Sequence, residues 1–396
     1  MAFQPAERGA TLRSSVNAVA PAKARAIFLA AAWSKPPSAV LDALPLDAAA
    51  SPAWEGAAAL ARRTNQEPVF LEFAERHAPR APLSLDVLAD LALQTRVHAF
   101  RWAEIRACVE ALLARLEVKA VRPILLKGVS LAGERFDPPH LRPMRDVDIL
   151  VRPEETEIAC AAAQESGFFP DAARHPAWRY DGHHHLPPLF HRDTGVCLEI
   201  HRTVVGSPER IAGFPALEDF LRGLRSSRCF PRAALLAPTL ELLVTCAQVT
   251  HGDSIGRRAQ YLFDLARELE GQESAIDWEQ IVALARSPDV ARVLFVPLGY
   301  LAAEGMPSPP PAILETLRRA SRLRGWEIRL LGSLTSRYRI GAPGPWPWIS
   351  GRVSNVIWRQ TLEQRSLLWR TFSTGARILR RNSVTGPSAG ALERTP

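Results

Sequence analysis

Leu141-Arg142-Pro143-Met144-Arg145-Asp146-Val147-Asp148-Ile149-Leu150-Val151 decides the fold. After Pro143 the run alternates as a strand does, so Val147 and Ile149 share one face while Asp146 and Asp148 share the other. Two carboxylates on one face repel each other unless a cation lies between them, and the pair therefore reads as a divalent-metal site. An Asp-x-Asp pattern is common on its own, and its plainer reading is a solvated strand edge. The neighbouring segments decide between the two.

Upstream, Ile124-Leu125-Leu126-Lys127-Gly128-Val129-Ser130 is a short apolar strand that meets glycine and opens into a helix over 130–136. Gly128 lets the backbone approach a ligand closely, the N–H groups of a helix start bind phosphate, and Lys127 adds a point charge. Downstream, Val196-Cys197-Leu198-Glu199-Ile200-His201 alternates again, with Leu198 and Ile200 on one face and Cys197, Glu199 and His201 on the other. If this strand lies beside the aspartate strand, Glu199 joins the metal site; otherwise it is a surface residue. Between them Pro153, Glu154 and Glu155 start a second helix and Gly167 stops it. The order strand, helix, strand, helix, then two more strands predicts a small sheet domain over 119–205.

Helical patterns flank this core. Residues 1–23 read as a disordered tail, and 24–118 as a helical region with helices near 25–34, 54–63 and 69–77 separated by Pro-containing turns. A longer helix follows Pro82 and Ser84, with Trp102, Ile105, Val109, Leu112, Leu113 and Leu116 on one face. A second helical region spans 206–340, with helices at 238–249, 259–270 and 278–286. Residues 341–396 comprise a Pro-rich link, a basic helix over 352–381 and a disordered end.

The composition, 47% apolar and 23% charged, is that of a folded globular chain and excludes broad disorder. Lys and Arg number 49 against 41 Asp and Glu, a surplus that favours anionic partners. It is spread too widely to give a strong nucleic-acid signal. The five cysteines are scattered with no Cys-x-x-Cys element, as in a reducing compartment. The best apolar stretch, 233–249, is broken by Glu241, so no membrane span is expected, and the run 26–33 is too short and too far from Met1 for a signal peptide. These features predict a cytoplasmic protein. The basic tail, with Trp358, Leu367, Leu368, Trp369 and Ile378, is a candidate for weak contact with a membrane or a partner, or for a helix folded on the body.

The ordered set 126–131, 141–151 and 198–201 resembles the uncharacterised nucleotidyltransferase family of the polymerase-β-like superfamily, often found beside polysaccharide or peptide natural-product biosynthesis genes. The likeness extends weakly from the Trp54 helix through His251 and Asp264. It implies an α+β fold, a small mixed sheet flanked by N- and C-terminal helical regions. It also implies Mg²⁺ or Mn²⁺ held by Asp146, Asp148 and Glu199, with a nucleoside triphosphate as co-substrate. Lys127, Gly128, Ser130 and Arg142 would then bind the nucleotide. The expected reaction is two-metal transfer of a nucleoside monophosphate to an unidentified acceptor, a small molecule, peptide or sugar. His201, His251, Arg258 and Asp264 are candidates for the acceptor pocket. The chain departs from the superfamily at Lys127-Gly128, where the pattern is Gly followed by Gly or Ser.

Two other readings stand beside this one. The same fold can bind a nucleotide or a partner without turnover. Alternatively, His183, His184, His185, His191 and His201 can form the zinc centre of a hydrolase. Against zinc, consecutive histidines on an extended strand point in alternating directions, and no His-x-x-x-His spacing accompanies them.

Overall fold

The computed structural model describes residues 20–206, 208–251, 258–270 and 275–339. The expected Pro-rich link, basic helix and C-terminal tail, and most of the N-terminal tail, lie outside the described residues.

Helices α1 (Ala20–Ala30), α2 (Ser38–Asp42), α3 (Ser51–Thr64) and α4 (Glu67–His77) open the chain. Asn65 ends α3 in the left-handed region at φ 60°, returning its N–H to the carbonyls of Ala61 and Arg62. Pro68, in the first turn of α4, needs no N–H partner there. Helix α5 (Leu85–Val118) starts at Ser84, whose Oγ accepts from the Val87 N–H at 3.4 Å. The face read from the sequence is buried at Ile105, Val109, Leu112, Leu113 and Leu116, against the sheet.

The sheet segment runs β1 (Ile124–Leu126), α6 (Lys127–Arg135), β2 (Asp146–Leu150), α7 (Thr156–Glu165), β3 (Phe168–Pro170), β4 (Leu189–His191) and β5 (Cys197–His201). It continues through α8 (Leu217–Phe220), β6 (Arg225–Ser226) and β7 (Ala234–Leu235). These strands form one seven-stranded mixed sheet in the order β3-β4-β5-β2-β1-β7-β6. Strand β2 lies antiparallel to β1 and parallel to β5, with Asp148 directly opposite Glu199. Three strands follow α7 where the sequence suggested two, because Phe168–Pro170 turns back to pair with β4. Strands β6 and β7 extend the sheet beyond residue 205, through pairing of Ala234 with Ile124.

The remaining helices are α9 (Pro238–His251), α10 (Arg258–Leu269), α11 (Trp278–Leu284), α12 (Pro288–Ala303), α13 (Pro311–Ser321) and α14 (Gly325–Arg339). The N- and C-terminal helical regions share one core: the Phe28 ring lies 5.1 Å from that of Phe263, and the Glu270 carboxylate accepts from the N–H groups of Ser34 and Lys35. Among the described residues no helix is long and apolar enough to cross a membrane.

Strand periodicity divides the sheet's two faces. Leu125, Val147, Ile149, Leu198 and Ile200 pack in the cluster that includes α5 and α7. Ile124, Leu126 and Leu150 join the cluster of the two helical regions. Asp146 and Asp148 alternate with Val147 and Ile149, so they look toward that helical body, and the fold leaves a cleft there.

Candidate active site

The cleft has a volume of about 600 Å³. Its sheet wall carries Asp146, Asp148 and Glu199. Arg62, Arg63 and Asn65, from the end of α3, line it from the N-terminal helices, while Gln260 and Tyr261 of α10 line it from the C-terminal ones. The Gln260 amide donates to the Pro143 carbonyl at 2.6 Å, pinning α10 to the loop that leads into β2.

The parallel register of β2 and β5 brings Asp148 and Glu199 level, as the sequence argument required. Asp148 is only 3% exposed, and an ionised carboxylate at that depth needs compensation. Lys127 Nζ donates to its Oδ1 at 2.7 Å, and His201 Nε2, 2.8 Å away, donates to the same oxygen. Burial pushes the Asp148 pKa up, but Lys127 and His201 outweigh it and hold the carboxyl well below the usual range. Burial likewise disfavours the Lys127 ammonium, yet the charges of Asp148 and Glu199 leave its pKa raised. The Lys127 backbone lies in the left-handed region at φ 51°, at the turn from β1 into α6.

Glu199 is less buried, with Oε2 3.6 Å from His201 Nε2 and 3.7 Å from His185 Nε2. One ligand atom each from Asp148, Glu199 and His201 falls within 4.8 Å of the others. Carboxylate oxygens suit Mg²⁺ or Mn²⁺, with His201 holding Asp148 in place, and the half-buried Asp146 adds a further carboxylate on the same cleft.

The remaining site candidates divide. Gly128 lines the cleft, and its reason is close packing: a Cβ there would lie 2.5 Å from Arg142 Nη1 and 2.9 Å from Met144 Sδ. Ser130 is buried, and its hydroxyl donates to Glu241 of α9 instead of facing the cleft. Arg142 reaches the cleft wall, but its guanidinium donates to both oxygens of Asp264, at 2.9 and 2.7 Å. Asp264, expected in the acceptor pocket, is therefore the buried counter-ion of Arg142, and His201 is a fully buried partner of Asp148. In each case a buried polar group has taken the nearest partner that satisfies it. The side chains of His251 and Arg258 lie outside the described residues.

Arg62, Arg63, Asn65, Arg145, Tyr261 and the histidines 183–185 line the cleft without having been assigned to the site from the nucleotidyltransferase resemblance. Arg62 and Arg63 sit in the last turn of α3, where paired arginines read equally well as compensation of a helix dipole. Arg145 directly precedes Asp146, which was the one local signal available.

No curated protein and no solved structure matches the chain. The family model described as uncharacterised nucleotidyltransferase matches residues 50–306, which takes in helices α3 to α5 before the sheet, the acidic strands and the helices behind the cleft. The chain belongs to that uncharacterised nucleotidyltransferase family.

Proposed function

We propose that the chain transfers a nucleoside monophosphate from a nucleoside triphosphate to a hydroxyl of a small-molecule, peptide or sugar acceptor. The observation that carries this reading is the level, parallel pairing of Asp148 with Glu199 on the face that looks into the cleft. Asp146, Asp148 and Glu199 would hold divalent metal. Bound Mg²⁺ or Mn²⁺ would supply charge compensation for the phosphates and activation of the acceptor oxygen.

The chain's own residues do the positioning. Lys127 and His201 stabilise the charge of Asp148 against burial, which favours the ionised form that offers oxygen ligands. The start of α6, at Lys127 and Gly128, lines the cleft, and Arg62, Arg63 and Arg145 surround it with positive charge suited to a polyphosphate. Arg142 acts on the wall through Asp264, which fixes its plane.

The decisive experiment incubates the protein with each triphosphate, Mg²⁺ and a metabolite extract, and follows pyrophosphate and nucleotidyl adducts. Asp148→Asn should abolish both; full turnover in that variant would remove Asp148 from the mechanism. The Lys127–Asp148 ion pair favours one other reading, nucleotide binding without turnover. Tight triphosphate binding with no pyrophosphate from any acceptor pool would select it.

A further inference from the structure

The segment between β3 and β4 carries a feature that nucleotidyl transfer does not use. His183, His184 and His185 would point in alternating directions on a strand, but this segment is not one. Gly182 takes φ 69°, and the His183 N–H returns to the Tyr180 carbonyl at 3.0 Å, bending the chain. The three rings consequently gather on the cleft, with centroids 4.2, 4.3 and 4.7 Å apart. One nitrogen from each lies within 4.8 Å of the others.

The hydrogen bonding around them leaves ring nitrogens open to a ligand. His185 Nδ1 lies 2.5 Å from the Leu186 carbonyl, which can only accept, so Nδ1 carries the proton and Nε2 is bare in the neutral ring. That bare nitrogen faces Glu199 Oε2, another acceptor, at 3.7 Å. His183 Nδ1 is buried with no hydrogen-bond partner among the described residues. Imidazole nitrogens gathered beside a carboxylate oxygen suit a cation, and imidazole nitrogen prefers borderline first-row ions over magnesium.

We infer that His183, His184 and His185, with Glu199 at their edge, form a second cation site on the cleft, built for a divalent transition ion of the zinc class. It shares none of its imidazoles with the Asp148–Glu199–His201 group. A hard-ion site and a borderline-ion site thus stand side by side, joined through Glu199. The inference holds whether or not the chain transfers nucleotides.

The test uses full-length protein purified without a polyhistidine tag and stripped with chelator. Co²⁺ is titrated and its visible d–d absorption followed, and Zn²⁺ affinity is measured by competition with a chromogenic chelator. One equivalent per chain that depends on these histidines is expected. The double variant His183→Ala/His184→Ala should weaken it by at least about tenfold, while Asp148→Asn should retain it. Because Asp148→Asn is also the variant that stops nucleotidyl transfer, the two readings fail separately. His183→Gln and His184→Gln are measured singly by the same criterion, with circular dichroism on each, so that a misfolded double variant does not decide the matter. Absence of Co²⁺ and Zn²⁺ binding at micromolar concentration would overturn the inference. So would binding that survives every histidine substitution, or binding lost only in Asp148→Asn.

Discussion

Arg142 and Asp264, 122 positions apart in sequence, form a buried two-bond ion pair that fastens the loop before β2 to helix α10. From the sequence both residues are expected to contact substrate, Arg142 the phosphates and Asp264 the acceptor. Their mutual pairing makes them the clasp between the aspartate strand and the C-terminal helices. Its strength rests on Arg142, because burial still pushes the Asp264 carboxyl above its usual range despite the adjacent guanidinium.

Arg142→Met leaves Asp264 buried without a counter-ion and should destabilise the fold by about 3–5 kcal/mol. Adding Asp264→Leu removes the orphaned charge and should recover most of that loss. Urea unfolding of the single and double variants measures both, and equal instability of the two would show that the pair's charge is not what matters.

Gly128→Ala forces the Arg142 guanidinium and the Met144 side chain to move. A cost of about 1–3 kcal/mol is expected for such overpacking. Catalytic loss should exceed what the melting temperature accounts for, because the displaced Arg142 lines the cleft. Activity assayed well below the variant's melting point separates the two effects.

Glu268 sets a pH dependence of stability. Burial, then the nearby Glu241 charge, raise its pKa well above the ordinary 4.5. Above 4.5 the unfolded chain therefore loses this proton while the folded one keeps it, so stability falls as pH rises until the folded pKa is passed. Within that window the contribution falls by about 1.4 kcal/mol per pH unit. Glu268→Gln keeps an oxygen for the Thr245 hydroxyl and removes the titration. Thermal melts from pH 5 to 9 should show the variant gaining on the wild type as pH rises; a constant gap would refute the assignment.

Lys127→Met strips Asp148 of its ammonium partner. The chelator-treated variant should melt below the wild type, and added Mn²⁺ should narrow the gap, since both cations serve the same carboxylate. Manganese affinity followed by electron paramagnetic resonance should increase. Unchanged affinity would place the metal away from Asp148.

Strands β2 and β5 and helix α6 were legible because each repeats its pattern over enough residues to show a period. Asp148 meets Glu199 because that periodicity is real on both strands. Strands β6 and β7 were not legible: Arg225–Ser226 and Ala234–Leu235 are too short to alternate, and they become strands only by pairing with each other and with Ile124. Long-range partners were equally hidden. Nothing local to Ser130 announces Glu241, and nothing local to Arg142 announces Asp264, since each pair is made by packing that brings distant segments together. The histidines misled for the opposite reason. On an extended strand they would alternate, whereas the turn at Gly182 gathers them.

The cleft draws its walls from α3, the central sheet and α10, and this sets when in the chain's own synthesis the pocket can close. A nascent chain that has released β5 already holds its acidic residues, yet it lacks the wall carrying Tyr261 and the carboxylate that clamps Arg142. A translation product cut short before Arg258–Leu269 thus carries the acidic residues without the helix that faces them across the cleft.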